Sequence, residues 1–105
     1  MTIQVCGDDI ELDEGLRARA VRRVALSLGR FAGRVRRVTV SFSSAPAAGR
    51  SSTRCRVAAA LGGQATIAVE RDGHCAHDAL EEAAEAAGRR LSRLLETERI
   101  LGHVN

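Results

Sequence analysis

The chain has no lysine, tryptophan or tyrosine, only two phenylalanines and a single proline. Without large rings the core cannot rest on bulky aromatics, and base recognition of the kind that stacks unpaired nucleotides on sheet-borne rings is not expected. One proline beside an apolar share of 45% argues against a disordered segment. No long apolar run is present, nor a basic start leading into one, so neither a membrane span nor a secretory leader is expected. The cysteines are three, Cys6, Cys55 and Cys75. An odd number without a leader suits free thiols in a reducing cytoplasm. No glycine-rich loop joins a strand to a helix, and no nucleophile, base and acid stand together, so neither an enzyme nor a cofactor is expected.

What is present fits one domain. At 105 residues the chain can bury a single core. Much of its apolar share is alanine, so close backbone approach must replace side-chain bulk. All 16 cationic residues are arginine, set against 13 acids for a formal net charge of +3. Ten of the 16 lie between Arg17 and Arg54, a stretch without Asp or Glu. Codon bias in a GC-rich genome could remove lysine, but it would not cluster the arginines. Such a segment suits an acidic partner, and guanidinium binds phosphate bidentately and stacks on bases.

Residues 2–6 alternate as a first strand, with Ile3 and Val5 on one face. Asp13 then provides an N-cap oxygen and Glu14 an early acid. From there Leu16, Ala20, Val21, Val24, Leu28 and Phe31 fall within an arc of roughly 140° on a helix, opposite Arg19, Arg22, Arg23 and Arg30. After Gly33, Val38, Val40 and Phe42 alternate with Arg37, Thr39 and Ser41 as a second strand. Residues 44–52, around Pro46 and Gly49, read as a loop. A third strand sets Cys55, Val57, Ala59 and Leu61 inward against Arg54 and Arg56. Gly62-Gly63 turns it into a fourth, with Ala65, Ile67 and Val69 inward. A second helix runs from about Ala76 to Leu95, acidic at its start and basic at its end with Arg89, Arg90 and Arg93, as the helix dipole favours. The result is an α+β fold in the order βαβββα: a two-layer sandwich with both helices on the apolar face of a four-stranded sheet. The other face would show Gln4, Arg37, Thr39, Ser41, Arg54, Arg56 and Thr66. The domain is expected over residues 1–98, with 99–105 as a C-terminal tail.

The segments LGRFAGRVRRVTV (28–40), STRCRVAAALGGQATIAV (52–69) and HCAHDALEEAAEAAGRRLSRLLE (74–96), in this order, resemble the ribosome hibernation-promoting factor and ribosome-associated translation inhibitor family. The likeness is to its short single-domain form, and it covers nearly the whole chain. Its marks are the Gly29-Arg30-Phe31 turn, the Arg54-Cys55 pair and the basic end of the last helix. His77 stands where the family commonly has an aromatic residue, and the last helix begins more acidic than the family pattern. The resemblance implies a protein that occupies the decoding region of the small ribosomal subunit, binds ribosomal RNA and inhibits translation under stress or in stationary phase. It places the family's cations on Arg89, Arg90 and Arg93 of the last helix and near Arg22, Arg23 and Arg30 of the first. Ribosome pairing through a C-terminal dimerisation extension is not expected.

The candidate RNA-binding residues are therefore Arg19, Arg22, Arg23, Arg30, Arg37, Arg54, Arg56, Arg89, Arg90 and Arg93. On the first helix the arginine arc carries no acid of its own, so the cations would repel one another unless an anion lay near. Without rings, recognition is expected to be of RNA shape and backbone. The expected partner is the small ribosomal subunit, with no membrane and no DNA, and the oligomeric state is left open between monomer and weak homodimer. Two other readings stay open. One is a protein interaction module of the same fold without RNA binding. The other is a thiol or metal sensor built on His74-Cys75-x-His77 at a helix start, although Cys55 is expected to pack in the core and no metal is expected.

Overall fold

A computed structural model describes residues 1–45, 52–63 and 65–103, with 98–103 described for their backbone. The elements run β1 (Thr2–Gly7), α1 (Glu14–Leu28), a 3-10 turn (Gly29–Phe31), β2 (Val35–Ser44), β3 (Thr53–Leu61), β4 (Thr66–Gly73) and α2 (Ala76–His103). This is the expected βαβββα order. The sheet is ordered β1-β2-β3-β4. Its first pair is parallel, linked across α1, and the other two pairs are antiparallel hairpins.

Period-two burial holds along the central strands. Val38, Val40 and Phe42 of β2, and Cys55, Val57, Ala59 and Leu61 of β3, are buried, while Arg37, Arg54 and Arg56 are exposed. A register shift between Val35 and Arg37 lets Val35 also point inward and leaves Arg36 and Arg37 both exposed. At the β3–β4 turn Gly63 has φ of 87°, a left-handed geometry that glycine adopts without a Cβ penalty. The Leu61 N–H donates to the Ala65 carbonyl at 2.8 Å across that turn. Ala65, expected inward, is exposed, because it belongs to the turn and β4 begins one residue later.

On α1 the Asp13 carboxylate caps the first turn, accepting from the Leu16 N–H at 2.7 Å. The buried stripe is Leu16, Ala20, Val24 and Leu28, narrower than expected. Val21 sits at its margin and is 40% exposed. Between the sheet and both helices lies one core in which α2 supplies Ala79, Leu80, Ala83, Ala84, Ala86, Ala87 and Leu91. The alanines bring α2 close to its neighbours. A Cβ on Gly88 would stand 3.3 Å from the Ser27 carbonyl oxygen of α1. No polar or charged side chain is buried among the described residues.

Helix α2 is longer than its sequence period indicated, continuing to His103 rather than ending near Leu95. Residues 99–103 of the expected tail are thus helical. Most of the loop expected at 44–52 lies outside the described residues.

Candidate nucleic-acid interface

Strand register divides the molecule into two ends. At one end Gly7 pairs with Phe42, Phe42 with Cys55 and Cys55 with Arg71. Both helices start there, and with them Asp8, Asp9, Glu11, Asp13, Glu14, Asp72 and Asp78. At the other end Thr2 pairs with Arg37, Arg37 with Ala60 and Ala60 with Thr66. Here α1 finishes, the Gly62 N–H donates to the Arg34 carbonyl at 3.0 Å, and the second half of α2 passes. Arg30, Arg34, Arg36, Arg37, Arg90 and Arg93 are exposed at this end.

The ten candidate arginines differ in whether the protein already neutralises them. The Arg23 Nε donates to Glu81 at 2.6 Å, and its Nη1 donates to the Ser27 hydroxyl at 2.9 Å. Arg19 reaches the same Glu81 at 3.7 Å. The α1 arc is therefore not uncompensated, because its acid comes from α2, where helical period on one chain segment could not reveal it. Arg54 donates to Asp72 across the β3–β4 ladder at 2.9 Å. Hydrogen bonding to Asp72 holds the guanidinium above its usual range, and the same bond holds the Asp72 carboxyl below its own. Arg89 pairs with Glu85 one turn earlier at 2.6 Å. Among the described residues no acid pairs with Arg22, Arg30, Arg37, Arg56, Arg90 or Arg93.

Two grooves gather cations on the helical side. The first, about 380 Å³, runs between β4 and α2 and is lined by Glu70, Arg71, Ala86, Arg89, Arg90 and Arg93, among others. Arg71 is absent from the candidates read in sequence. It lies two residues beyond Val69 on the helix-facing side of β4, so extending the period-two pattern by one step would have found it. The second groove, about 700 Å³, lies where Arg30, Phe31, Gly33 and Arg34 face Ser92, Leu95 and Glu96 of α2. In it the Arg30 guanidinium sits 4.7 Å from the centroid of the Phe31 ring, a cation–π contact. Arg37 and Arg56 stand apart on the open sheet face.

The other chemical candidates are dispersed. Cys55 is buried, and burial pushes its thiol up to about 12, in keeping with a packing role. His74, Cys75 and His77 are exposed, and among the described residues no group of three or more His, Cys, Asp or Glu is placed to hold a metal ion. No helix of the described residues is long and apolar enough to cross a membrane.

Residues 3–99 match the family model described as sigma 54 modulation protein / S30EA ribosomal protein. The chain belongs to this family. S30EA proteins are ribosome-associated modulation factors, as the sequence resemblance implied, and not an enzyme class, as the lack of catalytic motifs led us to expect. The fold is shared with solved structures. The N-terminal domain of Thermus thermophilus Protein Y is 20% identical, with a TM-score of 0.72 over 90% of this chain and 99% of that one. A ribosomal subunit interface protein from Coxiella burnetii is 14% identical, with a TM-score of 0.75 over 91% of this chain and 99% of that one. No curated protein matches the sequence.

Proposed function

We propose that this S30EA protein binds ribosomal RNA of the small subunit in the decoding region and inhibits translation under stress or in stationary phase, acting in the cytoplasm as a hibernation factor. Family membership supports the ribosome as partner. The observation that carries the RNA reading is the set of arginines without acidic partners among the described residues, Arg22 on α1, Arg30 in the 3-10 turn and Arg90 and Arg93 on α2, where the other described arginines of the helices are held by the fold. Exposed cations that no acid of the protein neutralises are stabilised by an anion, and a phosphate backbone offers a run of them. The Protein Y domain and the subunit interface protein share the same scaffold, which is compatible with a common mode of use.

Cosedimentation with small ribosomal subunits across a salt series tests this. Binding should weaken steeply as salt rises, since displaced counterions supply much of its free energy. Subunits already loaded with messenger and transfer RNA should exclude the chain if the decoding path is the site, and translation of a reporter in a cell-free system should fall as the chain is added. Absence of binding at low salt would sink the proposal.

A further inference from the structure

The groove between the 3-10 turn and the end of α2 differs from the remaining basic surface in setting a guanidinium over a ring and in a carboxylate that is unpaired among the described residues. Arg30 lies over the Phe31 ring at 4.7 Å, and Arg30 is exposed while Phe31 is half-buried. The guanidinium is thereby held against a ring while its side chain stays open to solvent. Guanidinium planes stack on nucleobases much as aromatic rings do. Half-buried Leu95 adds an apolar wall, half-buried Ser92 a hydroxyl, and the groove volume of about 700 Å³ falls within the roughly 300–1,000 Å³ of small-ligand sites.

Glu96 sets the ligand class. It lines the same groove as Arg30, and no hydrogen bond or ion pair engages it among the described residues. A carboxylate repels phosphate, so a groove serving the RNA backbone alone would gain nothing from it. Carboxylate oxygens only accept, and they match a base edge rich in N–H groups. Guanine presents two such donors side by side, N1–H and the exocyclic amine. Adenine and cytosine present only an amino group, and uracil a single imide.

We infer that this groove takes one unpaired guanine of the bound RNA, stacked on the Arg30–Phe31 layer with its Watson–Crick edge on Glu96. The inference rests on the RNA-binding reading and adds base selectivity to an interface otherwise blind to sequence.

Fluorescence anisotropy with labelled UUXUU pentamers, X being each base in turn, tests it on the full chain. UUGUU should bind about tenfold more tightly than UUUUU, the scale of one stacked base. Arg30→Lys keeps the charge but removes the plane, and should reduce the roughly tenfold ratio of UUGUU to UUUUU affinity to about one. Glu96→Gln should abolish the preference for guanine over adenine. Equal affinity for all four pentamers, with salt-dependent binding to small subunits intact, would overturn the guanine site and leave the RNA reading standing. Loss of subunit binding altogether would instead remove the reading on which it rests. Free guanosine monophosphate binding as tightly as UUGUU would overturn the assignment to RNA in favour of a mononucleotide site.

Discussion

The two ends of this molecule use the same residue type in opposite ways. At the acidic end and along the first half of α2, arginines are bound into the fold, Arg56 on the open sheet face excepted. Arg54 is held by Asp72, Arg19 and Arg23 by Glu81, and the Arg17 Nη1 donates to the Val5 carbonyl at 2.6 Å. At the basic end Arg30, Arg37, Arg90 and Arg93 are paired with no acid among the described residues, although Glu96 lines the groove of Arg30 and Glu70 that of Arg90 and Arg93. A net charge of +3 conceals this division. Binding potential depends on where cations lack partners, not on how many there are.

Removing each class of arginine separately should give the largest effect. The variant Arg22→Ala, Arg30→Ala, Arg90→Ala, Arg93→Ala should lose most of its affinity for small subunits and flatten the salt dependence by about three units of log–log slope. The variant Arg19→Ala, Arg23→Ala, Arg54→Ala, Arg89→Ala removes the same charge. It should lower folding stability while keeping most of the subunit binding. Equal losses in the two, measured by cosedimentation at one salt concentration, would show that total charge alone governs binding.

Next in size is a purely structural test at the acidic end. A Cβ on Gly73 would lie 2.6 Å from the backbone nitrogen of Ala79, at the point where β4 turns into α2. Backbone cannot yield as a flexible side chain can, so Gly73→Ala should cost about 2–3 kcal/mol in urea denaturation. Conditions that keep the variant folded should leave its RNA binding unchanged, because the unpaired arginines lie elsewhere.

Much of this architecture was legible in the sequence. Alternation in β2 and β3 identified the buried face residue by residue, the glycine pair marked the hairpin, and Asp13 marked the start of α1. These signals are local, and local geometry is what periodicity reports. The pairing of charges was not legible, because Glu81 lies 58 positions from Arg23 and its approach depends on how two helices pack. Val21 misled for a related reason: an amphipathic arc gives the direction of burial but not its width. Arg71 was overlooked because the inward pattern of β4 was followed only to Val69. The length of α2 escaped the apolar period, since Glu96 and Thr97, which follow Leu95 in the helix, are exposed and add nothing to its apolar face.

A smaller substitution would convert one class of arginine into the other. Glu81 holds both Arg19 and Arg23, and the Arg23 side chain is only 25% exposed. Glu81→Ala should therefore cost about 1 kcal/mol of stability and at the same time release two cations beside Arg22. Subunit binding should tighten by about two- to threefold, with a steeper salt dependence. A variant that is less stable and binds no better would mean that the α1 arginines lie outside the RNA contact, confining the interface to α2 and the 3-10 turn.

The mildest difference between the ends is their response to acid. Asp9 and Asp72 both titrate below the ordinary carboxylate range, Asp9 because it accepts from the Ser44 N–H at 2.8 Å and Asp72 because it is bonded to Arg54. Since their folded values are depressed, the stability they contribute is present above the unfolded value of 3.8 and is lost as pH falls through the folded value. Both groups are exposed and belong to the acidic end, so acid should loosen that end first. Amide exchange followed by NMR should show Ser44 losing protection below about pH 4, before Gly62, whose N–H bonds the Arg34 carbonyl at the basic end. Asp9→Asn should abolish the pH dependence at Ser44 alone, since the amide side chain keeps an oxygen to accept the bond but has no proton to gain in this range. If Ser44 and Gly62 instead exchanged together at every pH, the ends would unfold as one unit, and their contrast would be one of charge without any difference in local stability.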